Sequence, residues 1–253
     1  MTFDLTEMLQ DWDYKPGQVV ARRFQGKDGE KIQLRVDLGI LQMNVLGRPD
    51  GKKPMGNESW FHFYRKRSEQ APASADGENP DFALGSEDCG RLQQESIQYH
   101  HRYICFFQLK DYEAVERDCA RNLEVFSFVD RFAESDDLSW SVVQFTPQLT
   151  MMRTRARGEA RLQESDRDAA MVAIEAGISE LAEFYRDHER EELIEQSGEI
   201  LSLRGWLDEI RRKPPQNEIE RLRFALAEAI RIEDYETAAE VRDQLRKLQA
   251  SES

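Results

Sequence analysis

Residues 217–248 read NEIERLRFALAEAIRIEDYETAAEVRDQLRKL. Upstream, Pro214 and Pro215 stop any arriving helix, because proline lacks the amide donor and restricts the residue before it. Asn217 stands three residues ahead of Glu220, a capping-box-like start. Ile219, Leu222, Leu226 and Ala229 follow at intervals of three and four, which places them on one helix face. Glu233-Asp234 ends that helix, and Asp234 is a good N-cap for the next. Tyr235, Ala238, Val241 or Arg242, Leu245 and Leu248 form the second stripe, with the small pair Ala238-Ala239 permitting close approach. Two helices of about 32 residues in all bury little apolar surface alone. The hairpin must therefore dock on the rest of the chain, on a second copy, or on a partner.

The pattern Leu222, Leu226, Ala229, then Asp234-Tyr235-Glu236, Ala238-Ala239, Arg242-Asp243, Leu245 and Leu248 resembles the UVR motif. That motif is the helical hairpin at the C-terminus of UvrB and within UvrC, the bacterial excision-repair proteins, and it also occurs in some Clp ATPases and their adaptors. The resemblance implies a bacterial protein that contacts a protein partner or associates with itself as a small helical bundle or coiled coil. It also implies that Tyr235 packs at the hairpin turn and that Arg242 and Asp243 pair within or across the hairpin. It covers only about the last 35 residues.

Residues 86–213 are predicted helical. Ser86 caps a helix whose stripe is Leu92, Ser96, Tyr99, Tyr103 and Phe106. Asp111 caps a second, with Val115, Cys119, Leu123 and Phe126 in step. A short helix surrounds Trp140, and Thr146-Pro147 opens another through Leu149, Met152, Ala156 and Ala160. Past Ser165-Asp166 a helix carries Ile174, Ile178, Leu181 and Tyr185. Past Ser197-Gly198 the last carries Leu203, Trp206, Leu207 and Ile210. The turn Leu109-Lys110-Asp111-Tyr112-Glu113 and the small residues Ala156, Gly158 and Ala160 resemble tetratricopeptide repeats. The interval from Tyr112 to Asp168 exceeds the repeat's roughly 34 residues, so the prediction is a TPR-like helical hairpin bundle or short solenoid.

Ahead of these helices, residues 71–85 (APASADGENPDFALG) have linker composition and are the predicted domain boundary. Residues 1–70 are predicted as short helices around a basic antiparallel β-ribbon of three strands, about 18–46. Gly26-Lys27-Asp28-Gly29 is a hairpin turn. Ile32, Leu34, Val36 and Leu38 alternate with polar residues, and the phase change at Gly39 suggests a bulge or bend. Asn57–Gln70 reads as a helix bearing Trp60, Phe61, Phe63 and Tyr64. The expected fold is thus mainly α, with a small N-terminal β-ribbon and a C-terminal helical hairpin.

The formal charge of −14 argues against a chain that coats nucleic acid throughout. Between Lys15 and Lys53, however, nine Lys/Arg face four acids, so this segment is +5 and the remainder −19. Arg22, Arg23, Lys31 and Arg35 are its candidate anion or nucleic-acid contacts. Their alternative role is a solvated or aggregation-resistant sheet face. Arg153, Arg157 and Arg161, four residues apart, form a second basic streak for an anion or for local salt bridges. Three cysteines without a CxxC, no apolar leader and no membrane-length run point to a cytoplasmic chain. Gly47–Lys53 departs from a Walker A loop in spacing and in lacking the metal-holding Ser/Thr. His101 and Cys105 at i, i+4 are half of a metal site with no second half in view, so neither metal nor cofactor is expected. No catalytic motif emerges. The residues point to a non-catalytic adaptor in a DNA-repair or proteolysis-regulation setting; the alternative is a nucleic-acid-associated repair accessory using the ribbon.

Overall fold

The computed structural model describes residues 5–72, 81–212 and 218–251. Phe3, the linker's residues 73–80, Pro214-Pro215, Asn217 and the side chains of Ile219 and Glu220 lie outside the described residues. In chain order the elements are α1 (Thr6–Gln10), β1 (Val20–Gly26), β2 (Gly29–Val36), β3 (Gly39–Asn44), α2 (Trp60–Gln70), α3 (Ser86–Gln108), α4 (Tyr112–Phe132), α5 (Asp136–Val143), α6 (Thr146–Gln163), α7 (Arg167–Asp187), α8 (Gly198–Arg212), α9 (Glu218–Arg231) and α10 (Tyr235–Ser251). The fold is mainly α with one small antiparallel sheet, as expected. It divides into two compact units, Met1–Arg153 and Thr154–Ser253, and the division falls within α6 rather than at the 71–85 linker.

In the first unit the strands run in the order β1-β2-β3. Gly26 pairs with Gly29 across Lys27-Asp28, as the sequence predicts. Val36 pairs with Gly39, so Asp37-Leu38 is a two-residue turn and Gly39 opens β3 instead of making a bulge. Leu38, expected to continue the apolar stripe, sits at that turn tip and is 90% exposed. One sheet face buries Ile32, Leu34 and Met43. The other is partly covered, with Gln33 and Arg35 buried, against the expectation of a solvated or phosphate-facing surface. The chain before β1 covers it: Arg22 stacks 4.1 Å from the Trp12 ring, and Arg35 lies over Tyr14. Arg35 donates from Nε to the Trp12 carbonyl at 2.8 Å and from Nη1 to the carbonyls of Val36, Asp37 and Gly39.

The linker boundary fails because the ribbon and the helices share a buried polar core. Arg102 of α3 and Asp118 of α4 are each about 1% exposed and meet in a bidentate pair, Nε–Oδ2 2.7 Å and Nη2–Oδ1 2.9 Å. Nη1 of Arg102 donates to the carbonyls of Asn44 and Gly47, at the end of β3 and the turn beyond it, at 2.9 and 2.7 Å. Two turns earlier on α3, the fully buried Glu95 accepts from the backbone N–H groups of Trp60 and Phe61, at 2.8 and 3.3 Å. These open α2, so a carboxylate from another helix supplies the negative partner that a helix N-terminus favours. Arg121 and Arg48 complete the site, Arg48 Nε lying 3.1 Å from Glu95 as an ion contact. Helix α3 packs along α4, and α4 on α5. Leu84, just ahead of α3, is fully buried and hydrogen-bonded to Phe132 and Glu134, so this end of the predicted linker is core.

In the second unit α7 packs on α8. Ile174 and Leu181 from α7, and Ile200 and Leu203 from α8, are fully buried. A β-carbon at Gly177 would overlap the buried Thr154 side chain, and one at Gly158 would overlap the Trp206 ring. Gly158 therefore makes room for the Trp206 ring of α8.

Asp118→Ala leaves Arg102 buried without its partner, and in urea denaturation it is expected to cost about 3–5 kcal/mol. Glu175→Ala removes a half-exposed partner of Arg211 and should cost less than about 1 kcal/mol in the same assay. Gly177→Ala should lower stability by about 1–3 kcal/mol through overpacking.

Candidate functional site

The C-terminal hairpin is built by a turn that this chain uses repeatedly. Helix α9 ends with Glu233 in the left-handed region, φ 61. The Asp234 N–H reaches the Ala229 carbonyl at 2.8 Å and the Glu233 N–H reaches that of Ile230 at 3.1 Å, which together satisfy the last carbonyls of the helix. Asp234 then caps α10: its Oδ1 accepts from the Thr237 N–H and its Oδ2 from the Thr237 hydroxyl. Those two bonds, the hydroxyl's first, hold the Asp234 carboxyl below the usual aspartate range. Because the shift is downward, the cap stabilises the hairpin above that range and loses its effect as pH falls through it.

The same geometry recurs at Lys110-Asp111 and Ser165-Asp166. Lys110 and Ser165 take φ of 60 and 55, and their aspartates cap α4 and α7 by accepting from Ala114 and Ala169. The alignment makes Arg167, not Asp168, the counterpart of Tyr112. It also gives a controlled comparison, since Asp111-Tyr112-Glu113 and Asp234-Tyr235-Glu236 have identical sequences in identical turns. Tyr112 is 9% exposed and meets Phe107, five residues earlier, edge to face at 5.5 Å. Tyr235 is 69% exposed, and Ile230, five residues earlier, is also exposed.

The two helices bury their shared seam. Ala229, Ala238, Val241 and Leu245 are buried, while Leu222, Leu226, Ala239 and Leu248 are half-buried. Phe224, Ile230, Ile232 and Tyr235 stand exposed. Tyr235 thus lies at the turn without being packed there, contrary to what the resemblance implies. Arg242 and Asp243 pair with each other at 3.1 Å along one helix, at the surface and not across the hairpin. The hairpin also meets its own unit: Arg223 Nη1 lies 3.0 Å from Asp166 Oδ2, on the residue that caps α7. A cleft of about 450 Å³ beside this pair is lined by Asp168, Leu226, Ile230, Arg242, Leu245 and Arg246.

The other candidates are mostly engaged locally. Arg23 pairs with Glu30 and Asp111, and Lys31 with the Asn44 side chain. Arg22 is held by Gln33 and Trp12, while Arg35 is 8% exposed and committed to backbone carbonyls. Arg161 pairs with Glu164 at 2.8 Å, and Arg153 and Arg157 have interactions of their own. Cys105 Sγ lies 3.0 Å from the His101 carbonyl as a donor, so the thiol turns to the backbone and not to the imidazole. Among the described residues no group of three His, Cys, Asp or Glu is placed to hold a metal ion. Sequence reasoning missed Glu95, Asp118 and Asp166. Only Asp166 had a signal, through its position after Ser165.

The family model described as the UvrB/uvrC motif, UVR, matches residues 216–251. The chain therefore carries a UVR motif, and the matched segment is the α9–α10 hairpin. No curated protein and no solved structure matches the chain. No helix among the described residues is long and apolar enough to cross a membrane.

Burial pushes the Cys105 thiol up to about 12 and raises those of Cys119 and Cys89 as well. The folded chain at pH 8 should leave all three unmodified by iodoacetamide over an hour, whereas the chain in 6 M guanidinium should show three adducts by mass spectrometry.

Proposed function

We propose that this chain is a non-catalytic protein–protein interaction or adaptor protein whose contact face is the exposed end of the UVR hairpin, around Phe224, Ile230, Ile232 and Tyr235. The observation that carries the proposal is the contrast between the two Asp-Tyr-Glu turns. One shields its tyrosine within its own unit; the other leaves its tyrosine and the preceding isoleucine in water. Ile230, Ile232 and Tyr235, exposed within six residues of one turn, suit a protein contact. Tyrosine is among the residues that contribute most when an interface covers them. The seam between α9 and α10 is closed, so the partner need not unfold the hairpin to bind. The UVR match supports the same role, and the families that share the motif suggest a DNA-repair or proteolysis-regulation setting.

The TPR-like helices of its own unit, α7 and α8, would supply the support on which the hairpin is displayed. The alternative, a nucleic-acid accessory using the ribbon, has weaker support. Arg35 is buried and Arg22, Arg23 and Lys31 are bonded locally, so phosphate binding would first have to break those contacts.

A photo-crosslinking amino acid at position 235 of the full chain should capture a discrete partner protein or a second copy in cells, and one at exposed Glu113 should not. Ile230→Asp with Tyr235→Ala should weaken that association at least tenfold, as read by biolayer interferometry or sedimentation, with the circular-dichroism melt unchanged. An association that survives both substitutions would remove the hairpin end as the contact face.

A further inference from the structure

A separate cavity lies in the first unit. Helices α3, α4 and the corner between α5 and α6 enclose about 260 Å³. Its buried wall includes Tyr103, Phe126 and Leu149, and its rim carries Ile97 and Phe145, each nearly half exposed. Large apolar side chains left in water around a buried apolar floor are what a ligand pocket presents. The size is informative, since a dry apolar cavity of about 150 Å³ accepts a benzene-sized ring. The space here fits one ring with a substituent, or two fused rings.

The polar groups narrow the chemistry. No lysine, arginine or carboxylate lines the cavity. Asn122 and Ser96 are already engaged: the Asn122 amide donates to the Ser96 carbonyl at 3.0 Å, its Oδ1 accepts from Arg121 at 2.9 Å, and Ser96 Oγ donates to the Leu92 carbonyl at 2.9 Å. His100 Nδ1 and the Tyr103 hydroxyl lie 2.6 Å apart. Burial, with His101 alongside, lowers the pKa of His100, and burial raises that of Tyr103, so both are neutral near pH 7. One proton lies in their contact. Whichever tautomer holds it, the pair has one further N–H or O–H donor.

We propose that this cavity binds a neutral aromatic molecule of one or two rings carrying an oxygen acceptor, which the His100–Tyr103 pair hydrogen-bonds. A carboxylate or phosphate would lose its hydration here without gaining a countercharge. The site is independent of the hairpin, so the two proposals stand or fall separately.

The test titrates the full chain with phenol, with toluene as the ring lacking oxygen, and with benzoate, by calorimetry and saturation-transfer NMR. Phenol is expected to bind with a dissociation constant of about 10 μM to 1 mM, the range open to a ligand of so few atoms. Toluene should bind more weakly, and benzoate at least tenfold more weakly. Ile97→Glu and Phe145→Ala, both at the rim, should each weaken phenol at least tenfold while leaving the thermal melt unchanged. His100→Phe should remove phenol's advantage over toluene. The proposal is overturned by no phenol binding up to about 10 mM, by benzoate binding equally well, or by rim variants that bind like the parent chain.

Discussion

The first unit depends on a charge pair that tolerates no half measures. Arg102 and Asp118 come from adjacent helices and meet where almost no water reaches them. Each ion is tolerable there only because the other is present and its remaining hydrogen-bonding positions are filled. Filling them is what brings in the ribbon, since the last donor of Arg102 goes to the Asn44 and Gly47 carbonyls. Glu95 does the same for α2 from two turns earlier. The two α3 side chains thus convert an ordinary helical hairpin into the post that holds a sheet and a further helix. Tyr99 lines the same region, its ring 4.8 Å from the Arg102 guanidinium and 4.1 Å from that of Arg121.

A second economy runs through the helical connections. Three of them pair a left-handed residue other than glycine with an aspartate that caps the next helix. The left-handed residue carries a modest backbone strain, offset by two satisfied carbonyls at one helix end and a capped amide at the next. Such a joint sets the direction of the following helix locally, before any long-range packing. What it does not set is what covers the turn. At α3–α4 the tyrosine after the aspartate is buried; at α9–α10 it is exposed. Identical local chemistry with opposite burial is the basis for proposing the hairpin end as a contact face.

Much of the fold was legible in the chain itself because its strongest signals are local. The Gly26–Gly29 turn, the aspartate caps and the apolar stripes of α3, α4, α7 and α8 involve residues close in sequence. The ribbon's second face was not legible. Arg22 and Arg35 have the alternation of a wet surface, and nothing nearby announces that Trp12 and Tyr14 lie against them. The Gly39 bulge was misread for a related reason: a shift in hydrophobic phase looks the same whether the strand bends or turns back.

The hairpin at 217–248 shows the same division. Its sequence alone determined two helices, the cap at Asp234 and a seam rich in small residues, because periodicity and capping act within a turn or two of the chain. Only the tertiary structure decided that Arg223 meets Asp166, that Arg242 and Asp243 pair along one helix, and that Tyr235 stays in water while Tyr112 does not. Burial depends on which distant segments arrive to exclude solvent, and no local pattern of residues encodes their arrival.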